Sequence, residues 1–186
     1  MIGYALCGSF CTLRASIDIL KQMISSGYEI QPIMSEICYS TDTRFGTASK
    51  HVAEIEDLCK KRIIHTVKDA EPIGPKALLD ALVIAPCTGN TLAKITSGIT
   101  DSAVTMAAKA HLRNCRPLII AIATNDALSA NLKNIGYITE RKNIFLVPFG
   151  QDDPIKKPSS MIADFSKIPE TLKHAMNGLQ IQPMLI

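Results

Sequence analysis

The chain has 186 residues, 47% hydrophobic and 20% charged, with 20 Lys and Arg against 17 Asp and Glu and a formal charge of +3. That composition describes one globular domain with a full core and excludes a disordered chain. The charge is too small for a nucleic-acid footprint, and no apolar run approaches the roughly 20 residues of a membrane helix.

Residues 2–7 are an apolar run without the basic start of a signal sequence, and they read as a buried strand ending at Gly8-Ser9. From Leu13, apolar residues recur at Ile17, Leu20 and Ile24, one face of a helix that Gly27 ends. Residues 28–34 read as a second strand and 35–46 as a polar loop. A helix then runs to about Lys60 with Val52, Ile55, Leu58 and Cys59 inward, and Lys60-Lys61-Arg62 is its solvated end. Residues 62–66 predict a short third strand, and Pro72-Ile73-Gly74-Pro75 a rigid turn. Ala81-Leu82-Val83-Ile84-Ala85 is continuously apolar, as in a central parallel strand, and Pro86 ends it. A helix over 88–97 stops at Gly98, and Asp101 stands ready to cap another through Leu112. Residues 117–123 predict a strand, 125–134 a helix, 143–148 a last strand and 169–177 a last helix.

This alternation predicts an α/β fold of flavodoxin or Rossmann-like type, a three-layer, doubly wound parallel sheet forming one domain over 1–186. The aperiodic stretch 150–166 reads as a lid or docking loop. Ligands of such sheets bind outside the carboxyl ends of the strands, which points to the loops 8–12, 35–46, 86–91, 124–127 and 150–160. The six cysteines (7, 11, 38, 59, 87, 115) form no CxxC pair and the four histidines no metal-ligand spacing, so reduced thiols, a cytoplasmic setting and no metal are expected.

Gly8 and Ser9 open a loop suited to an anion at a helix start. Ser35 ends the second strand and suits a phosphate or ribityl chain; Glu36 stands near the place of a ribose-binding acid. In Pro86-Cys87-Thr88-Gly89-Asn90-Thr91, Gly89 admits a ligand to the backbone, while Thr88 and Asn90 either bind it or cap the helix. Thr124 and Asn125 add polar groups at the next strand end. Asp126 is a candidate acid or base, or a helix cap, and Cys87, His51 and His65 read as structural.

The run Ala85-Pro86-Cys87-Thr88-Gly89-Asn90-Thr91-Leu92-Ala93-Lys94, followed by Gly98 and Asp101, resembles the homo-oligomeric flavin-containing cysteine decarboxylase superfamily. That likeness spans about 2–134 and implies an FMN site at Gly8, Ser9, Ser35, Thr88 and Asn90, and a homo-oligomer. Two departures argue against cysteine decarboxylation: Glu71–Lys76 lacks the family's histidine, and Thr124–Leu128 keeps only the asparagine of its PxMNxxMW-like stretch. Ser40–Gly46, Glu71–Lys76, Thr124–Leu128 and Val147–Pro158 together resemble the family of dipicolinate synthase B-subunits over nearly the whole chain. This implies the mother cell of a spore-forming bacterium, oxidation of dihydrodipicolinate together with the A-subunit of dipicolinate synthase, and NADP held by that partner. A flat dicarboxylate wants cations and a planar cover. Arg44 is the leading candidate for substrate and catalysis, with Phe45, Lys76, Lys156 and Lys157 as further contacts. Arg44 also reads as a surface-loop arginine, and Asp152 and Asp153 can simply pair with the lysines. The alternatives are a stand-alone FMN-dependent decarboxylase and a non-catalytic scaffold for the A-subunit.

Overall fold

The computed structural model describes residues 1–186. Strand β1 (Ile2–Leu6) leads into α1 (Leu13–Ser25), β2 (Ile30–Met34), α2 (Glu36–Ser40), α3 (Ala48–Cys59) and the single turn α4 (Val67–Ala70). Then come β3 (Ala81–Cys87), α5 (Gly89–Ser97), α6 (Ala103–Leu112), β4 (Leu118–Thr124) and α7 (Leu132–Thr139). Three short strands, β5 (Ile144–Leu146), β6 (Phe149–Gln151) and β7 (Met161–Ala163), precede α8 (Ile168–Met176).

The continuous apolar runs become the middle of the sheet. β1 and β3 are buried throughout and β4 at all but Thr124, because helices cover both faces. α1, α3 and α8 pack on one side, and α4 to α7 on the other. β1 pairs in parallel with β2 and β3, and β3 with β4. Chain order therefore reverses between β1 and β3. That reversal opens a crevice at their carboxyl ends, where α1 and α5 leave on opposite faces.

Local chemistry moves several expected boundaries. The loop after β2 contains α2, because Ser35 Oγ accepts from Cys38 N at 3.4 Å and caps it. The third strand shrinks to one parallel bridge, Ile33 to Ile64, since Ile63 N donates to the Glu56 carboxylate rather than to a strand. β3 runs through Pro86 to Cys87, with its register against β4 shifting after Ile84. Ser102, not Asp101, caps α6 in a reciprocal box with Thr105, and Asp101 pairs instead with Lys94 at 2.9 Å.

The helix expected over 125–134 begins only at Leu132, because Asp126 accepts the Ser129 and Asn131 amides and folds the preceding residues into turns. The stretch 150–166 holds β7 and the end of β6, strands of three residues that are too short to show a period. They add an antiparallel hairpin to the otherwise parallel sheet, with β7 pairing β4 at Ala123 and Thr124.

Candidate functional site

An open cleft of about 770 Å³ lies at the carboxyl ends of β1, β3 and β4. Its floor is the loop Gly8–Thr12 and the start of α5. The Ser9 and Thr12 amides bond within the loop, while those of Gly8, Phe10 and Cys11 have no partner in the chain. Gly89 and Asn90, the first residues of α5, also keep free N–H groups, since Thr88 Oγ1 caps only Thr91 N at 3.3 Å. These five unpaired donors beside a helix start are groups from which an anion can accept. Gly89 is required by crowding: a Cβ there would lie 2.7 Å from both Thr124 Oγ1 and Asp126 Oδ1.

One wall is the turn after β4. Thr124 Oγ1 donates to Asp126 Oδ1 at 2.5 Å, and Asn131 Nδ2 donates to Oδ2 at 2.9 Å, so both carboxylate oxygens are engaged. Asn125 is exposed along the same wall. Asp126 therefore fastens the turn.

The opposite wall carries Arg44 and Phe45 on a tight turn. Thr43 and Gly46 exchange both backbone hydrogen bonds, at 3.0 and 3.1 Å, and Phe45 N donates to Thr43 Oγ1 at 3.1 Å. Asp42 ties the turn to α3 by accepting Ala48 N at 2.8 Å. Arg44 stacks over Phe45, 4.9 Å from the ring centroid, and makes no ion pair. The β6–β7 hairpin forms the rim, with Asp152, Lys157 and Ser160 facing the cleft. Lys157 Nζ lies 3.0 Å from Asp152. The Ser160 hydroxyl, together with Lys157, holds the Asp152 carboxyl below the usual carboxylate range.

The sequence profile of the family described as Flavoprotein matches residues 1–176. The B-subunit of dipicolinate synthase from Bacillus subtilis (strain 168) is 45% identical over 185 residues, covering 100% of this chain and 92% of that protein. The chain belongs to the flavoprotein family, in its group of dipicolinate synthase B-subunits. The crystal structure of the dipicolinate synthase B-subunit from Bacillus halodurans C superposes with a TM-score of 0.91 at 41% identity, covering 100% of this chain and 95% of that one. The FMN-dependent cysteine decarboxylase SpaF shares the fold, with a TM-score of 0.66 at 24% identity over 94% of this chain and 95% of its own.

Within that group's fold, the cleft gathers most of the expected residues from distant segments: Gly8, Ser9, Arg44 and Phe45, then Thr88, Gly89 and Asn90, then Thr124, Asn125, Asp126 and Lys157. Three stand elsewhere. Ser35 is buried, capping α2, and does not line the cleft. Lys76 lies in the turn before β3, at the amino ends of the strands and so across the sheet from the site. Lys156 is exposed on the hairpin and does not line the cleft. Glu36 does not line the cleft; its Oε1 accepts Ala103 N at 2.9 Å and helps to start α6. Cys87 is 1% exposed, and burial pushes its thiol well up, which suits packing rather than nucleophilic attack. Phe10, Cys11 and Ser160 line the cleft without having stood out in the sequence. For Asp152, the signal was its place four residues before a lysine pair.

Proposed function

We propose that this chain acts with the A-subunit of dipicolinate synthase to oxidise dihydrodipicolinate to dipicolinate, its own part being to bind and orient the dicarboxylate. The observation that carries this reading is Arg44, a cation without an ion pair, held by a rigid turn across a cleft from five free backbone donors. Arg44 takes one ring carboxylate by a two-pronged contact, Phe45 covers the ring, and Lys157 receives the second carboxylate. Oxidation removes a hydride and a proton from the dihydropyridine ring. The hydride passes to NADP held by the A-subunit, and gain of aromaticity drives the step, so positioning is the main demand on this chain. Asp126 serves as a positioning residue for Thr124 and Asn125.

The donors at Gly8, Phe10, Cys11, Gly89 and Asn90, with the Ser9 and Thr88 hydroxyls, suit the phosphate of FMN, and Thr124 and Asn125 offer further polar groups along the same cleft. A flavin bound there would supply two-electron redox chemistry. A homo-oligomer in the mother-cell cytoplasm completes the reading, on family likeness. The decarboxylase alternative is disfavoured by the stretch Glu71–Lys76, which lacks that family's histidine, and by Thr124–Leu128, which keeps only the asparagine of its second motif.

The test is co-expression with the A-subunit and assay of dipicolinate. Arg44→Ala should lower kcat/KM about 10- to 100-fold with the complex intact by gel filtration. An unchanged rate in an intact complex would indicate a scaffold, and a yellow chain that decarboxylates alone would overturn the assignment.

A further inference from the structure

Two cations and two carboxylates line the cleft: Arg44, Lys157, Asp126 and Asp152. The carboxylates are held differently. Asp126 accepts from two neutral donors, whereas Asp152 pairs with Lys157, the cation that lines the cleft besides Arg44. A doubly charged ligand therefore enters a cleft whose formal side-chain charges already cancel.

We propose that Asp152 is a built-in placeholder for a ligand carboxylate at Lys157. The proposal rests on the reading of this cleft as a dicarboxylate site. A ligand anchored at Arg44 presents its second carboxylate to Lys157, and Lys157 exchanges Asp152 for it. The pair is poised for exchange, because both partners are partly exposed, Asp152 at 25% and Lys157 at 57%, and such pairs are held weakly.

The hairpin keeps its shape without that pair. Lys157 N donates to Asp153 O at 2.8 Å, Lys156 N to Asp153 Oδ1 at 2.9 Å, and Gln151 Nε2 to Pro158 O at 2.8 Å. Exchange thus needs only the Lys157 side chain to swing. The consequence is selectivity by charge count. A monocarboxylate anchored at Arg44 leaves the internal pair closed, and only a second carboxylate competes with Asp152.

Cys11 provides the readout, since it is exposed and lines the cleft, whereas the exposed Cys115 precedes β4 at the other end of the sheet. The full chain is labelled with neutral iodoacetamide, and protection of Cys11 is titrated with pyridine-2,6-dicarboxylate, pyridine-2-carboxylate and FMN, with Cys115 as internal control. Asp152→Asn, with Asp152→Ser as a second variant, should lower the half-protecting dicarboxylate concentration about tenfold. Lys157→Met should raise it towards the monocarboxylate value.

Unchanged or weaker dicarboxylate protection in both Asp152 variants, with the wild type protected normally, overturns the placeholder and leaves the cleft reading standing. An equal gain for FMN puts a phosphate at Lys157 and also overturns it. No dicarboxylate protection in any protein removes the cleft reading and the placeholder together.

Discussion

The Ser16 hydroxyl, on the buried face of α1, donates to the Ala85 carbonyl at 2.5 Å and lies 3.0 Å from the Tyr4 hydroxyl, which donates to the Ser16 carbonyl. All three residues are fully buried, so these bonds satisfy polar groups where water cannot, and they pin α1 to the end of β3 beneath the cleft. Ser16 did not stand out in the sequence, although it shares the face of Leu13, Ile17 and Leu20. Its partner lies 69 residues away, beyond the reach of local pattern.

Charge at the surface behaves differently. Glu54 receives Arg14 at 2.9 and 2.5 Å and Lys21 at 2.9 Å. The Arg14 guanidinium, ahead of Lys21, holds its carboxyl down to about 2. Because the folded value is depressed, this stabilisation is complete above the usual carboxylate range and is lost as pH falls through about 2. Discounted for solvent screening at a site about a third exposed, it is worth about 1 kcal/mol. Glu54→Gln should therefore lower stability near pH 7 by about that amount and converge with the wild type near pH 2, as read from urea midpoints across pH.

Among the elements, α5 shows how a helix start becomes a site. Thr88 caps it, Gly98 closes it with φ at +72°, and both ends are legible as residue types. What the spacing does not reveal is the reason for Gly89, which lies in the neighbouring turn: it faces Thr124, Asp126 and Asn131 across a gap too narrow for a methyl group. Gly89→Ala should push that turn aside, cost about 1–3 kcal/mol by urea denaturation and weaken FMN and dicarboxylate binding together. Equal binding by the variant would mean that the turn does not shape the cleft. The same limit explains α6. Asp101 was the cap expected from sequence; Ser102 takes that place because Thr105 returns a bond to Ser102 N while Lys94 engages Asp101.

Across the whole molecule, burial sorts six identical thiols. Cys11 and Cys115 are exposed; Cys7, Cys38, Cys59 and Cys87 lie in the core. Burial pushes Cys7 and Cys59 up to about 11 and Cys38 to about 12. Native protein at pH 8 should take up two alkyl groups quickly, against six after unfolding, counted by intact mass. Rapid labelling of Cys87 would contradict the packing described.

The sequence by itself determined the layered α/β class, the central strands and most of the cleft loops, because apolar run length and helical period report burial of nearby residues. It also carried Arg44, Gly89 and the strand-end hydroxyls as candidates. Only the tertiary structure decided that Lys76 lies across the sheet from the site, that Ser35 and Glu36 serve helix starts, and that Asp152 faces Lys157 on an antiparallel hairpin. Those outcomes depend on which carboxyl ends are brought together by the reversal of strand order, and on which polar groups meet there. Both are set by contacts between residues far apart in the chain, which local patterns do not encode.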